Sequence, residues 1–532
     1  MRNHIGIYGI PDDGRKFSPK GNTHDHGMAS ITAERCTVVE LERYTREKHD
    51  NHMPSHIMDI LPSMTAPRDE VVITSVSSFL GSGFESDDGA FSIQPVSMEI
   101  SDITRSTECT VNGHSVEGKV MCQEFAHIAS CLPFIGSFEE NSLLIHIDGG
   151  ATDSASSAWI WESGKPTMIR ASWDDLKDVV NNYNVNPLAQ SILGLTMEDH
   201  LSMPGKLMGY ASYGHCNAEL EAWLKSNRWF LGTEDRNELL REINGFFGTN
   251  YTEFDNHKQE FMDVAYAIQH GFEEAVLGYI AEMKDRTGAE HLCYAGGAAL
   301  NIDANSRIRN ESGFKSIFIP PCTSDSGLCL GAAAWSYFCE NGEVPKQSPY
   351  LGPNEPTILD QVEDLAKELS ERKVIGLVTG RSETGPRALG HRSIIARADN
   401  VDLRRTLSEY MKKREWYRPV APVMLESVAE TMLSDYAPGD RLAEYMLGTY
   451  HVREEYLDKF SGVVHANGTV RALVLKDNRE PLFHILVELL EKYDIAALIL
   501  TSFNTRGEPI VETVEDAMRS GKVLGLDRVV VL

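Results

Sequence analysis

Three short stretches gather carboxylates and imidazoles at positions suited to one shared ion or substrate. In VMCQEFAHIAS a helical reading places Gln123 and His127 four residues apart on one face, with Glu124 adjacent. That is metal-ligand spacing. Asp148 closes LLIHIDGG, where Gly149 and Gly150 let the backbone turn tightly, and Asp325 stands between Ser324 and Ser326 ahead of GLCLGAAAW. Fe(II) and Mn(II) accept imidazole together with carboxylate oxygens, so His127, Asp148 and Asp325 form a candidate histidine and two-carboxylate site. Each also has a plainer reading: Asp325 would cap its helix, and a histidine on a half-apolar helix is commonly a packed one. In GNTHDHG, Gly21 to Gly27, the functional reading makes His24 a general base near neutral pH and Asp25 its companion; the plainer one is a polar turn.

A second set is cationic. GRSETGPRALGHRSI brings Arg381, Arg387 and Arg392; MKKREWYRPVAPV adds Lys412, Lys413, Arg414 and Arg418; HANGTVRALV adds Arg471. Guanidinium forks grip phosphate and carboxylate oxygens bidentately, so such a concentration in a chain of net charge -28 points to an anion pocket. The strand-like AALILTSFNTRGEPIV ends in Ser502, Asn504 and Arg506, a hydroxyl, an amide and a guanidinium suited to a nucleotide's phosphate and sugar. No GxxxxGK[ST] sequence is present, so any use of ATP bypasses a P-loop.

These groups need a scaffold that delivers them to one place. LLIHIDGG, HLCYAGGAALN, SIFIPPCTSDSGLCLGAAAW and VIGLVTGR read as strand, turn and then helix, the pattern of α/β folds whose sites lie at the carboxyl ends of strands. Amphipathic stretches at Glu219 to Ile243 and Glu260 to Met283 read as helices packed on the sheets. Glu340 to Asp360 is dense in Pro and Gly and lacks apolar periodicity. It is the expected linker, dividing 1–350 from 351–532.

Length and composition agree. A chain of 532 residues, 42% hydrophobic and 24% charged, exceeds one ordinary core and fits two folded domains. No apolar run approaches the roughly 20 residues of a membrane span, and the first residues do not read as a secretory signal, so a cytoplasmic enzyme is expected. Nine cysteines without CxxC pairing, Cys293, Cys329 and Cys339 among them, read as reduced core residues. The acidic balance disfavours nucleic acid as a partner. It suits a cationic acceptor, although solubility alone accounts for acidity in many proteins.

Seven blocks then carry a resemblance: ELERYTREKHD, PGKLMGYASYG, AGGAALNIDAN, PPCTSDSGLCLGAA, GPRALGHRSI, REWYRPVAPV and TSFNTRGEPIVETVEDA, in that order from about residue 22 to about residue 518. The chain resembles the nodulation-protein and cephamycin-type carbamoyltransferases, a family that includes an antibiotic-modifying aminoglycoside enzyme. The resemblance implies a duplicated actin-like ATPase (ASKHA) domain followed by an α/β YrdC-like domain. It implies that carbamoyl phosphate and ATP, with Mg(II), yield carbamoyl adenylate, whose carbamoyl group passes to a hydroxyl, in preference to an amine, of a small natural-product acceptor. Arg387, Lys412, Arg418 and Arg471 are then the carbamoyl phosphate ligands, with Lys412 and Arg418 also catalytic. Ser502, Asn504 and Arg506, with Gly296, Gly297 and Asn301, lie beside the nucleotide, and His24 and Asp25 serve transfer. Dimerisation is a family-level expectation.

The chain departs from the pattern at the metal. Relatives read HHxxH where this sequence has Gln123, Glu124 and His127, so one imidazole is missing; Gln123 is left as a weak amide ligand, or Glu124 swings in, or the ion is lost. HDHG also stands where relatives have HDSSA, after a lead of about twenty residues. Both changes touch the acceptor side. Two rival readings follow, a threonylcarbamoyl-type tRNA-modifying enzyme and a non-catalytic nucleotide-binding partner protein. The acidic charge and REWYRPVAPV oppose the first, and the retained cations oppose the second.

Overall fold

A computed structural model describes residues 2–9, 23–355, 361–476 and 478–532. The end of the expected linker, 356–360, and the start of GNTHDHG lie outside the described residues.

Three sheets carry the architecture. The first contains β1 (Arg2–Tyr8), β2 (Gly27–Ile31), β3 (Cys36–Glu40), β4 (Glu70–Ser77), β5 (Phe84–Glu85), β6 (Phe91–Ile93), β7 (Thr104–Val111) and β8 (His114–Cys122), in the order β3-β2-β1-β4-β8-β7-β6-β5. The second contains β9 (Ser142–Ile147), β10 (Ser156–Glu162), β11 (Lys165–Ser172), β12 (His291–Ala295) and β13 (Ser316–Phe318), in the order β11-β10-β9-β12-β13. In the first sheet β1 pairs antiparallel with β2 and β2 with β3, while β1 runs parallel to β4 and β4 to β8. The second repeats this in full: β9 antiparallel to β10, β10 to β11, then β9 parallel to β12 and β12 to β13. The same five-strand path traced twice is the duplicated actin-like ATPase fold, with β7, β6 and β5 added at one edge.

The two halves lock through glycines. The helix Leu328–Asn341 crosses β1 and β2, and a Cβ on Gly6 would lie 1.9 Å from the Cys329 carbonyl oxygen. The helix Gln123–Ala129 packs on it equally closely, since a Cβ on Gly331 would sit 1.8 Å from the Ala126 oxygen. Any side chain at either position would force the elements apart. This crossing brings His127 and Asp325, nearly two hundred positions apart in sequence, to one spot.

The third sheet comprises β14 (Ile375–Val378), β15 (Arg392–Arg397), β16 (Ala421–Leu425), β19 (Leu473–Leu475), β20 (Ala497–Ser502) and β21 (Arg528–Val531), with β17 (Tyr450–His451) and β18 (Thr469–Val470) forming a separate ribbon. Its order is β19-β16-β20-β15-β14-β21.

Several expectations change. LLIHIDGG turns back into antiparallel β10 and not into a helix. Glu219 to Ile243 is two helices, Ala218–Ser226 and Arg236–Phe247, because Arg228, Trp229 and Phe230 take positive φ and Asp235 caps the second start. VIGLVTGR leads into a loop and antiparallel β15, not a helix, as Gly385 and Gly390 adopt φ of 100° and 108°. The stretch Gln259–Thr287 is one helix, as its amphipathic pattern suggests. The cysteines are all free; seven are buried, but Cys339, expected in the core, is exposed.

A buried arginine ties the carboxyl-terminal sheet to the first. Arg43 donates to the backbone oxygens of Glu383 and Gly385 at 2.5 and 2.7 Å, and its Nε lies 2.7 Å from Glu40, which accepts from the Gly385 N–H. Arg43→Ala strands Glu40 without its cation, so unfolding free energy is expected to fall by about 3–5 kcal/mol, read by urea denaturation. An unchanged midpoint would remove this tether.

Candidate active site

One cavity of about 1000 Å³ is lined by members of both sets of residues singled out in the sequence. Its acidic end carries His24, Asp25, Gln123, Asp148 and Asp325; its basic end carries Arg387, Lys412, Arg414, Arg418 and Arg471, with Ser502, Asn504 and Arg506 on the adjoining wall.

At the acidic end Asp148 follows β9 directly. Its carboxylate accepts from the N–H groups of Gly149 at 2.6 Å and Gly297 at 2.5 Å. Gly296 makes this approach possible: its φ is 99°, and a Cβ there would lie 2.2 Å from the Ile147 oxygen. Asp325 opens the turn before Leu328–Asn341 and accepts from the Tyr8 hydroxyl at 3.0 Å. His127 is fully buried behind the wall, its Nε2 3.4 Å from Asp325 and 3.7 Å from Asp148. Burial and the neighbouring Asp325 carboxylate push Asp148 upward. Two carboxylates converging on a buried imidazole suit a divalent ion, so these residues fit the group that the resemblance implies.

Glu124 does not take part. It accepts from the Asp153 N–H at 2.7 Å and the Ser154 hydroxyl at 3.2 Å, tied to the turn after β9. Helix Gln123–Ala129 is as expected, with Gln123 almost wholly buried at the cavity wall.

His24 and Asp25 sit together with a partner that the sequence did not reveal. Asp25, at φ 56°, lies 2.9 Å from His24 Nδ1 and 2.8 Å from His49 Nδ1, bridging two imidazoles. Burial opposes charge on His24, yet Asp325, Asp25 and Asp148 overcome it and raise it to about 10. Against the expectation of a base free near neutral pH, the ring here favours its cation.

At the basic end Lys412 is buried and donates to the Ser502 hydroxyl at 3.1 Å, the Asn504 side-chain oxygen at 2.8 Å and the Ser502 carbonyl. Burial, then Arg414 and Arg418, hold its amine well below the ordinary lysine range. Burial and Arg418 lower Arg387 to about 10 and Arg414 to about 9; burial, then Arg387, Arg414 and Arg418, depress Arg471 well below its usual value. The Nε atoms of Arg387 and Arg471 are buried without a hydrogen-bond partner. Mutually repelling, under-paired cations facing one space suit an anion.

Other arginines resolve differently. Arg392 is fully buried and donates to the carbonyls of Glu512, Thr379 and Gly380, while Arg381 donates to those of Gly352, Leu351 and Cys36. Both are scaffold, and of the three in their stretch only Arg387 reaches the cavity. Arg506 is largely exposed and donates to the Lys413 carbonyl. Asn301 lines the cavity, but its amide caps the helix Ile302–Glu311 through the Ala304 N–H and pairs with Gln269, so it is committed to structure.

Comparisons with known proteins place the chain in a family. The family model "Carbamoyltransferase N-terminus" matches residues 123–334, and "Carbamoyltransferase C-terminus" matches 366–532. The chain belongs to the carbamoyltransferase family that includes the nodulation proteins. It is 30% identical to nodulation protein U of Rhizobium tropici over 61% of this chain and 60% of that protein. It is 27% identical to nodulation protein NolNO of Sinorhizobium fredii over 96% of this chain and 78% of that one. The match to NolO of Bradyrhizobium diazoefficiens, at 31% identity, spans 54% of the relative's length. A solved structure of full-length HypF in its phosphate- and nucleotide-bound form aligns over 32% of this chain and 24% of its own, at 18% identity and a TM-score of 0.23. The fold assignment rests on the strand order itself. No helix among the described residues is long and apolar enough to cross a membrane.

Proposed function

We propose that the protein is an ATP-dependent carbamoyltransferase whose residues 351–532, the expected YrdC-like domain, make carbamoyl adenylate and whose residues 1–350 transfer the carbamoyl group to a hydroxyl of a small acceptor. The observation that carries this reading is the single cavity with a cationic end and an acidic, imidazole-bearing end.

In the first step water displaces phosphate from carbamoyl phosphate. The resulting carbamate oxygen attacks the α-phosphorus of Mg-ATP and pyrophosphate leaves. Arg387, Arg414, Arg418 and Arg471 hold the phosphate charge, and Lys412, aligned by Ser502 and Asn504, faces the oxygens on which charge grows. In the second step the acceptor oxygen attacks the carbamoyl carbon, AMP departs, and the proton passes to His24, held by Asp25. His127, Asp148 and Asp325 would hold a divalent ion, Fe(II) or Mn(II) by donor set, which would supply Lewis acidity and would offset the carboxylate charge that raises His24. Enclosure of both ends in one cavity keeps the labile anhydride from bulk water.

The test is exchange of labelled pyrophosphate into ATP. Exchange is expected only when carbamoyl phosphate and Mg(II) are both present; its absence under those conditions would refute adenylation. Mass-shift screening of hydroxylated metabolites, looking for a gain of one carbamoyl group, then identifies the acceptor.

A further inference from the structure

The imidazole missing at position 123 has a counterpart on the neighbouring strand. His146 lies in β9 two residues before Asp148, and the two-residue period of a strand turns both side chains to the same face. The helix Gln123–Ala129 covers that face and delivers His127. The rings of His127 and His146 stack with centroids 5.0 Å apart and planes 20° from parallel. One donor atom from each of His127, His146 and Asp148 lies within 4.8 Å of the others. Asp325 lies beside the three, 3.4 Å from His127.

His146 is fully buried, and neither of its ring nitrogens has a hydrogen-bond partner; nor has Nδ1 of His127, also fully buried. A buried imidazole with both nitrogens unpaired, stacked on a second whose Nδ1 is also unpaired, is costly for a core that could hold phenylalanine, and a shared ligand removes that cost. Donors held about 2.0–2.2 Å from one ion lie about 3–4 Å from each other, so His127, His146 and Asp148, within 4.8 Å of one another, draw closer and the stacked rings turn when they share an ion.

We propose that His146 is a metal ligand, completing with His127, Asp148 and Asp325 a two-histidine, two-carboxylate site for a first-row divalent ion. The imidazole comes from the strand before the aspartate, not from the helix, and Gln123 lines the cavity without ligating. The proposal deepens the carbamoyl-transfer reading, and the metal measurement stands apart from it.

The test titrates metal-free protein with Co(II), following visible ligand-field absorption for affinity and X-ray absorption for the number of imidazoles bound. The wild-type chain is expected to bind one Co(II) through two imidazoles. His146→Asn and His146→Phe should bind at least about 100-fold more weakly, since even outer-sphere changes at metal sites cost 10–100-fold, while Gln123→Ala should match the wild type. His146→Phe keeps the ring volume and stacking, so the variant stays folded if the histidine only packs. Equal Co(II) affinity in wild type and His146→Phe, loss of binding in Gln123→Ala, or no binding by the wild type would each overturn the assignment. Carbamoyl-phosphate-dependent pyrophosphate exchange is measured on the same preparations. Co(II) bound through His146 without exchange would sink the transferase reading alone; exchange with a single imidazole on Co(II) would sink this proposal alone.

Discussion

Lys412→Ala should lower carbamoyl-phosphate-dependent pyrophosphate exchange by about 10²–10³-fold, the loss found when one preorganised donor to developing charge is removed. The magnitude follows from its setting. Lys412 is buried, and Ser502 and Asn504 hold its amine in place among the arginines, where it acts on phosphate charge as a fixed point charge. Burial and the arginines beside it disfavour its charge, so an incoming anion is the partner that stabilises the ammonium. Arginine is a poor substitute here, because a planar fork cannot occupy the point-charge position between a hydroxyl and an amide. Transfer from chemically supplied carbamoyl adenylate should proceed in this variant near the wild-type rate. A variant that exchanges pyrophosphate normally would take Lys412 out of adenylation.

His127→Ala should give the converse result. Exchange is expected to stay within about twofold of wild type, whereas carbamoyl transfer to the acceptor should fall by about 10²–10³-fold through loss of transition-state charge stabilisation. His127 touches Asp148 and Asp325, not the cationic cluster, and lies behind the cavity wall at its acidic end. Truncation removes a buried ring, so a melting curve must accompany the rates; a folded protein with both activities intact would end the division of labour between the two ends. Equal loss of both activities in a folded variant would place the metal in adenylation as well.

Much of this was legible along the chain. Strands that terminate in glycine-rich turns showed where side chains emerge, and Asp148, Asp325, Lys412 and Ser502 all stand at such ends or in the loops facing them. The duplicated fold was legible only through the resemblance, because the repeat is one of strand path and not of residues. His146 left a signal that went unread: it precedes Asp148 by two in a strand, and strand periodicity alone puts the pair on one face. His49 left none, since it lies twenty-four positions beyond Asp25, past β2 and β3. Arg381 and Arg392 misled because an arginine beside glycines serves backbone carbonyls as well as it serves phosphate, and nothing local tells which.

By itself the sequence determined the inventory: which cations, carboxylates and imidazoles exist, that they cluster in turns, and that an imidazole is absent from the helix where relatives carry one. Only the tertiary structure decided which of them share a cavity. Convergence depends on two glycine-mediated crossings, at Gly6 with Cys329 and at Gly331 with Ala126, and on Arg43 bridging distant segments. Such contacts are set by closeness of approach between elements far apart in the chain, a property that residue type permits but that only packing selects.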